Sequence, residues 1–183
     1  IGYRALYSQN GGGSDNDSSG NVALGSSAGF FNATGLNNTY LGHKAGYGVS
    51  TINHSGCVFI GKDAGLAAYS GANNIAIGLS AMDSMGALAS TENIFIGKDS
   101  GGGSWTGNPS SYNVAIGNNT MDAAMNGAGE NVAIGYSALS ALTSGDENVS
   151  IGLESSIVLT TGSANTIIGA KAGSTDIIGS GNV

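Results

Sequence analysis

The sequence predicts an all-β fold, a parallel β-solenoid of about ten coils. Three observations carry this: a short phrase recurring at a near-constant period, a composition rich in glycine but poor in charge, and a period too short for a helical repeat. The phrase Asn-x-x-(Ile/Leu)-Gly begins at positions 21, 38, 74, 93, 113, 131, 148 and 165, and Cys57 replaces the Asn in a ninth copy. Successive starts lie 17, 19, 17, 19, 20, 18, 17 and 17 residues apart. Repeats built from helix–turn–helix pairs need about 33 residues, whereas 17–20 suit one coil of a solenoid. Glycine fills 33 of 183 positions, well above the usual figure of about 7%, and charged residues are 9% against about 25%. The 40% of hydrophobic residues is too many for a disordered linker.

Each position of the repeat has its own character. The residue before the Gly is always Ile or Leu: Leu24, Leu41, Ile60, Ile77, Ile96, Ile116, Ile134, Ile151 and Ile168. Two residues earlier stands a mostly β-branched side chain, such as Val22, Val58 or Ile94. That period-two spacing marks a short strand, and both positions are expected to point into the coil core. Three residues past the Gly the chain is small (Ala28, Ala45, Ala64, Ala81, Ser100, Thr120, Ala138), which implies close backbone approach. All five basic residues (Arg4, Lys44, Lys62, Lys98, Lys171) fall one or two places after a motif Gly, and Glu92, Glu130 and Glu147 each precede a motif Asn. Both places are expected to be solvent-facing corners. The Gly is assigned a turn conformation, and the Asn a bond to turn backbone or to the Asn of the next coil. The stretch Ala81–Ser90 is too short and glycine-rich to carry a helix, and Ile157-Val158-Leu159 and Ile177-Ile178 mark a weaker second apolar segment.

Between the two expected core positions lie Ala23, Tyr40, Phe59, Ala76, Phe95, Ala115, Ala133, Ser150 and Ile167, none of them charged. In a lone rod they would face water. Tyr40, Phe59, Ala76, Phe95, Ala115, Ala133 and Ile167 are therefore assigned to an oligomer interface, with a parallel homotrimer as the simplest closed arrangement. Residues 1–183 read as a single repeat rod, with a polar Gly/Asp-rich insertion at 7–20 and regular coils over 21–183. The ends interrupt the motif at Ile1-Gly2 and Asn182-Val183, as expected of a processed, excised or incomplete chain or of subunits stacking end to end into a filament.

The phrase Asn-x-(Val/Ile)-Ala-Ile-Gly-x-x-Ala, seen at 74–81 and 131–138 and with Thr at its end at 113–120, resembles the head repeats of trimeric autotransporter adhesins. It is similar also to repeats in phage tail fibres. The resemblance spans roughly residues 21–173 and implies a trimeric, left-handed parallel β-roll serving as spacer and attachment rod. The period of 17–20 residues is nearer the phage type.

Other functions find little support. Five Lys+Arg against twelve Asp+Glu give a net charge of −7, without the basic footprint of a nucleic-acid binder. No apolar run approaches a membrane span, so no membrane insertion is expected. Asp15–Gly20 resembles the start of a calcium loop without the bidentate Glu and reads as a polar insertion. His43 and His54 have no second ligand cluster, and the glycine runs at 11–13 and 101–103 lack the Lys-Ser/Thr of a phosphate loop. No cofactor and no catalysis are expected. Cys57 reads as a buried free thiol, and sequons at Asn16, Asn32, Asn37, Asn53, Asn118 and Asn148 are possible glycan positions. The aromatics near the connecting loops (Phe30, Phe31, Tyr47, Tyr69, Trp105, Tyr112) read first as staples between one coil and the next and second as sugar-stacking groups, with Trp105 and Tyr112 the candidate contacts for a cell-surface glycan or receptor. The expected function is a non-enzymatic structural or adhesive segment of an extracellular fibre, on a virion or cell surface. The alternative is a glycan- or ice-binding solenoid.

Overall fold

The computed structural model describes residues 1–8, 20–49, 53–67, 71–86, 89–175 and 179–183. Most of the 7–20 insertion, Asp15 and Asn16 included, lies outside them, as do Tyr69 and Ile177-Ile178. The fold is all-β. Nine strands, β1 (Val22–Leu24), β2 (Thr39–Leu41), β3 (Val58–Ile60), β4 (Ile75–Ile77), β5 (Ile94–Ile96), β6 (Val114–Ile116), β7 (Val132–Ile134), β8 (Val149–Ile151) and β9 (Thr166–Ile168), form one sheet in sequence order. Every neighbouring pair is parallel and in register, so Ala23, Tyr40, Phe59 and Ala76 form one column down the sheet. About eight turns of a β-solenoid result. Among the described residues no helix forms, and Ile157-Val158-Leu159 makes no second strand.

The facing of the strands is the reverse of the sequence expectation. Tyr40, Phe59, Ala76, Phe95, Ala115 and Ala133 are fully buried inside the chain's own coil, Ile167 is 6% exposed, and none of them forms an outer interface. The expected core residues turn outward: Leu24, Leu41, Ile116 and Ile168 are exposed, and Ile60, Ile77, Ile96, Ile134 and Ile151 half-buried. The motif Asn explains why. Side chains alternate along a strand, so the Asn and the middle residue share one face while the two aliphatics share the other. Asn38, Asn74, Asn93, Asn113, Asn131 and Asn165 are fully buried, which puts the middle residue inside with them.

From Asn74 to Asn165 the asparagines form a continuous ladder. Asn113 Nδ2 donates to Asn93 Oδ1 at 3.1 Å, Asn131 to Asn113 at 3.0 Å, Asn148 to Asn131 at 3.0 Å and Asn165 to Asn148 at 2.8 Å. Each Oδ1 also accepts the backbone N–H of the next Asn, and each Nδ2 reaches a carbonyl of the following coil, as from Asn113 to Ala128 at 2.9 Å. Buried amides are thereby satisfied along the rod. At Cys57 the rail changes: its N–H bonds to Asn38 Oδ1 at 2.9 Å, and its Sγ lies 3.5 Å from the Gly71 carbonyl oxygen.

Core volume is balanced within each coil between the middle residue and the one four places past the Gly. Tyr40 is matched by Gly46, Phe59 by Gly65 and Phe95 by Gly101, and a Cβ at any of these glycines would strike the ring. In three coils whose middle residue is Ala the partner is large, Met82 for Ala76, Met121 for Ala115 and Leu139 for Ala133, all fully buried, whereas Ala23 goes with Gly29, whose space is taken by Tyr40 and Leu6 of the neighbouring coils. The returning segments add Met85, Trp105, Met125, Leu142 and Leu159 to the same cluster.

The turns use left-handed backbone at three recurring places. Two residues past the Gly stand Ser27, Lys44, Asp63, Ser80, Asp99, Asn119, Ser137, Glu154 and Lys171, with φ between 52° and 60°. A side chain there is unfavourable by itself, yet each N–H donates to a carbonyl of the preceding coil, as from Lys44 to Ser26 at 2.9 Å and from Ser137 to Asn118 at 3.0 Å. Every coil thus repeats the same turn. The other two places are the fourth residue past the Gly (Met82, Met121) and the one before the Asn (Glu92, Tyr112, Glu130).

Candidate functional surface

With the middle residues inside, the outward sheet face is a strip of two aliphatic columns, Val22 to Thr166 and Leu24 to Ile168. Only Thr39 and Thr166 interrupt it with a hydroxyl. Spaced at about 4.8 Å per strand, nine strands give a strip roughly 38 Å long. Its Gly-side edge is extended by Leu79, Tyr136 and Leu153, exposed at 42%, 51% and 47%. No charged side chain stands on the strands. An uncharged aliphatic surface of this length is the most distinctive feature of the exterior.

The two candidate receptor residues part company. Trp105 is 2% exposed, its ring 5.6 Å from Phe95 and its Nε1 donating to the Gly101 carbonyl at 3.1 Å. It fills the core rather than presenting itself to a receptor, because a coil whose outward loop begins with three glycines leaves interior space for one large ring. Tyr112 is 55% exposed and lines a shallow cavity of about 290 Å³ with Pro109, Ser111, Glu130, Asp146 and Glu147.

The histidines are not brought together. His54 is fully buried, with Nδ1 3.2 Å from Tyr40 Oη, whereas His43 lies at a corner 4.0 Å from Asp63. Among the described residues no group of three potential metal ligands assembles. Cys57 is buried, and burial pushes its thiol up to about 11. Burial likewise raises the Asp83 and Asp122 carboxyls, and Asp83 Oδ1 has no hydrogen-bond partner. Of the sequons, Asn32 and Asn148 are buried, while Asn37, Asn53 and Asn118 are exposed.

The sequence carried a signal for the inner face in the pairing of large middle residues with glycine four places on. Compared with models of protein families, with curated proteins and with solved structures, the chain matches none.

Proposed function

We propose that the chain is a non-enzymatic structural segment of an extracellular fibre, on a virion or cell surface, and that it self-associates in parallel through its outward aliphatic strip. The observation that carries this reading is the strip itself, two side chains wide and nine strands deep, with no charge along it. Leaving it in water is unfavourable at about 25 cal/mol per Å². Two strips laid face to face cover little: about 7 Å by 38 Å each, or roughly 500 Å² in all, below the ~1,200 Å² of a stable pair. Three strips converging on a common axis also bring in Leu79, Tyr136 and Leu153 from the flanking column, in which the charges of Lys62 and Lys98 are paired with Asp63 and Asp99, and this favours a trimer. Identical coils stacked in register give each copy the same strand spacing, so parallel chains match rung for rung.

The coils then supply length and stiffness, and exposed corners supply whatever adhesion the fibre has. An ice-binding role would call for a Thr array, and the outward columns hold Thr only at Thr39 and Thr166. Native mass spectrometry of the purified chain tests the reading. A threefold mass is expected, and a monomer at micromolar concentration would overturn it.

A further inference from the structure

We infer that a corner of the first coils binds an anionic sugar chain through Arg4, Lys44 and the aromatic side chains they cover. The chain is acidic, at −7, and its five cations divide into two kinds. Lys62 pairs with Asp63, Lys98 with Asp99 at 2.9 Å, and Lys171 with Glu154 at 3.7 Å. Arg4 and Lys44 meet no carboxylate among the described residues and lie over rings instead. The Arg4 guanidinium is 5.1 Å from the Tyr3 ring centre, 5.3 Å from Tyr7 and 6.0 Å from Phe30, and Lys44 Nζ is 5.6 Å from Tyr47. A cation held over a ring keeps its full charge and its outward N–H donors.

The rings form a platform. Tyr7, Phe30 and Tyr47 occupy the fifth place past the Gly on consecutive coils and stack at 5.0 and 5.1 Å, with interplanar angles of 13° and 23°. Phe31 stands edge-on to Phe30 and Tyr47, at 4.6 and 5.2 Å. Further along the rod the same column holds Leu66, Asp83 and Gly102, so the aromatic stack is confined to this end. Phe31, Lys44 and Tyr47 are half-exposed on coils covered both above and below, so their access is lateral.

Charge complementarity selects an anionic partner. Arg4 and Lys44 take the same place on coils two apart, about 9.6 Å along the rod, which suits an extended polymer carrying regularly spaced carboxylates or sulfates. The stacked rings spend their faces on one another and on the two cations, so what they offer a ligand is hydroxyls, which favours a hydroxyl-rich sugar chain over an acidic peptide. The hydroxyls of Tyr3, Tyr7 and Tyr47 have no protein partner among the described residues and are free to bond sugar hydroxyls. The site borders the aliphatic strip at Tyr3, which takes the place past the Gly that Leu79, Tyr136 and Leu153 take further along, and its other residues lie beyond that edge.

Isothermal titration in 0.15 M salt tests the inference with four probes: an oligogalacturonate, a heparin oligosaccharide, a neutral cello-oligosaccharide and polyglutamate. Binding of either or both anionic sugars, in preference to the other two probes, is expected. Which of them binds tells a carboxylate-bearing from a sulfated source. Arg4→Asn with Lys44→Asn should weaken binding at least tenfold, since each lost cation removes roughly fivefold, and Asn suits the left-handed backbone at both places. Tyr47→Leu should weaken it as well, while Lys62→Asn, the loss of a charge already paired, should leave it unchanged. No binding of either anionic sugar, equal binding of the neutral sugar or polyglutamate, or equal loss on Lys62→Asn would overturn the site. Native mass of the same variants separates this outcome from a failure of self-association.

Discussion

Cys57 occupies the one strand-entry position where the buried amide rail is replaced by sulfur. An Asn there would accept the neighbouring backbone and amide N–H groups as its counterparts do, a net gain of about 1 kcal/mol over the weaker bonds the sulfur already takes. Cys57→Asn is therefore expected to raise Tm by roughly 2–4 °C in calorimetry. The native thiol, with its pKa near 11, should resist iodoacetamide at pH 8 until the chain is unfolded. Asp83 is a second residue whose environment works against it. Burial lifts its carboxyl above the unfolded value, so what it contributes is favourable below the ordinary carboxylate range and is lost as pH rises through the raised value. At neutral pH a half-buried charge with an unpartnered oxygen is left. Asp83→Asn should thus raise Tm at pH 7, and the difference from the parent chain should vanish near pH 3.

At the scale of one coil, stability rests on a volume shared between two places. Phe59→Ala empties the space beside Gly65 and is expected to lower unfolding free energy by about 3–5 kcal/mol in urea titration. Adding Gly65→Met to that variant recreates the Ala76–Met82 and Ala115–Met121 pairing of other coils and should restore a large part of the loss. The left-handed backbone does not forbid it, for Met82 (φ 50°) and Met121 (φ 45°) hold the same conformation. Gly65→Met alone should destabilise, since its Cβ already meets the Phe59 ring. If the double variant were no more stable than Phe59→Ala, the two places would not share one cavity.

At the scale of the molecule, the two faces of the strand separate folding from association. Ala115→Asp puts a charge into the fully buried column and should unfold the rod, read as lost ellipticity and lowered Tm. Ile96→Asp lies on the outward strip, half-buried in the single chain, and should leave the coil folded while reducing the native mass to that of one chain. Were Ile96→Asp to unfold the chain and Ala115→Asp to spare it, the facing would be the opposite of the one described.

The period, the strand positions, the small residues past the Gly and the parallel stacking were all legible in the amino-acid sequence, because each repeats and the repeats must superpose. Facing was not. A three-residue strand with apolar groups on both sides offers two parities, and hydropathy alone prefers the larger aliphatics inside. Only the closed coil decides between them: its interior is lined by the Asn ladder, and the middle residue, two places on, shares that face, leaving Leu24 through Ile168 on the outer surface. The place of Trp105 was likewise hidden, since a ring flanked by loop residues goes inside only when the coil has a void of its shape, and that void exists only once neighbouring coils are stacked.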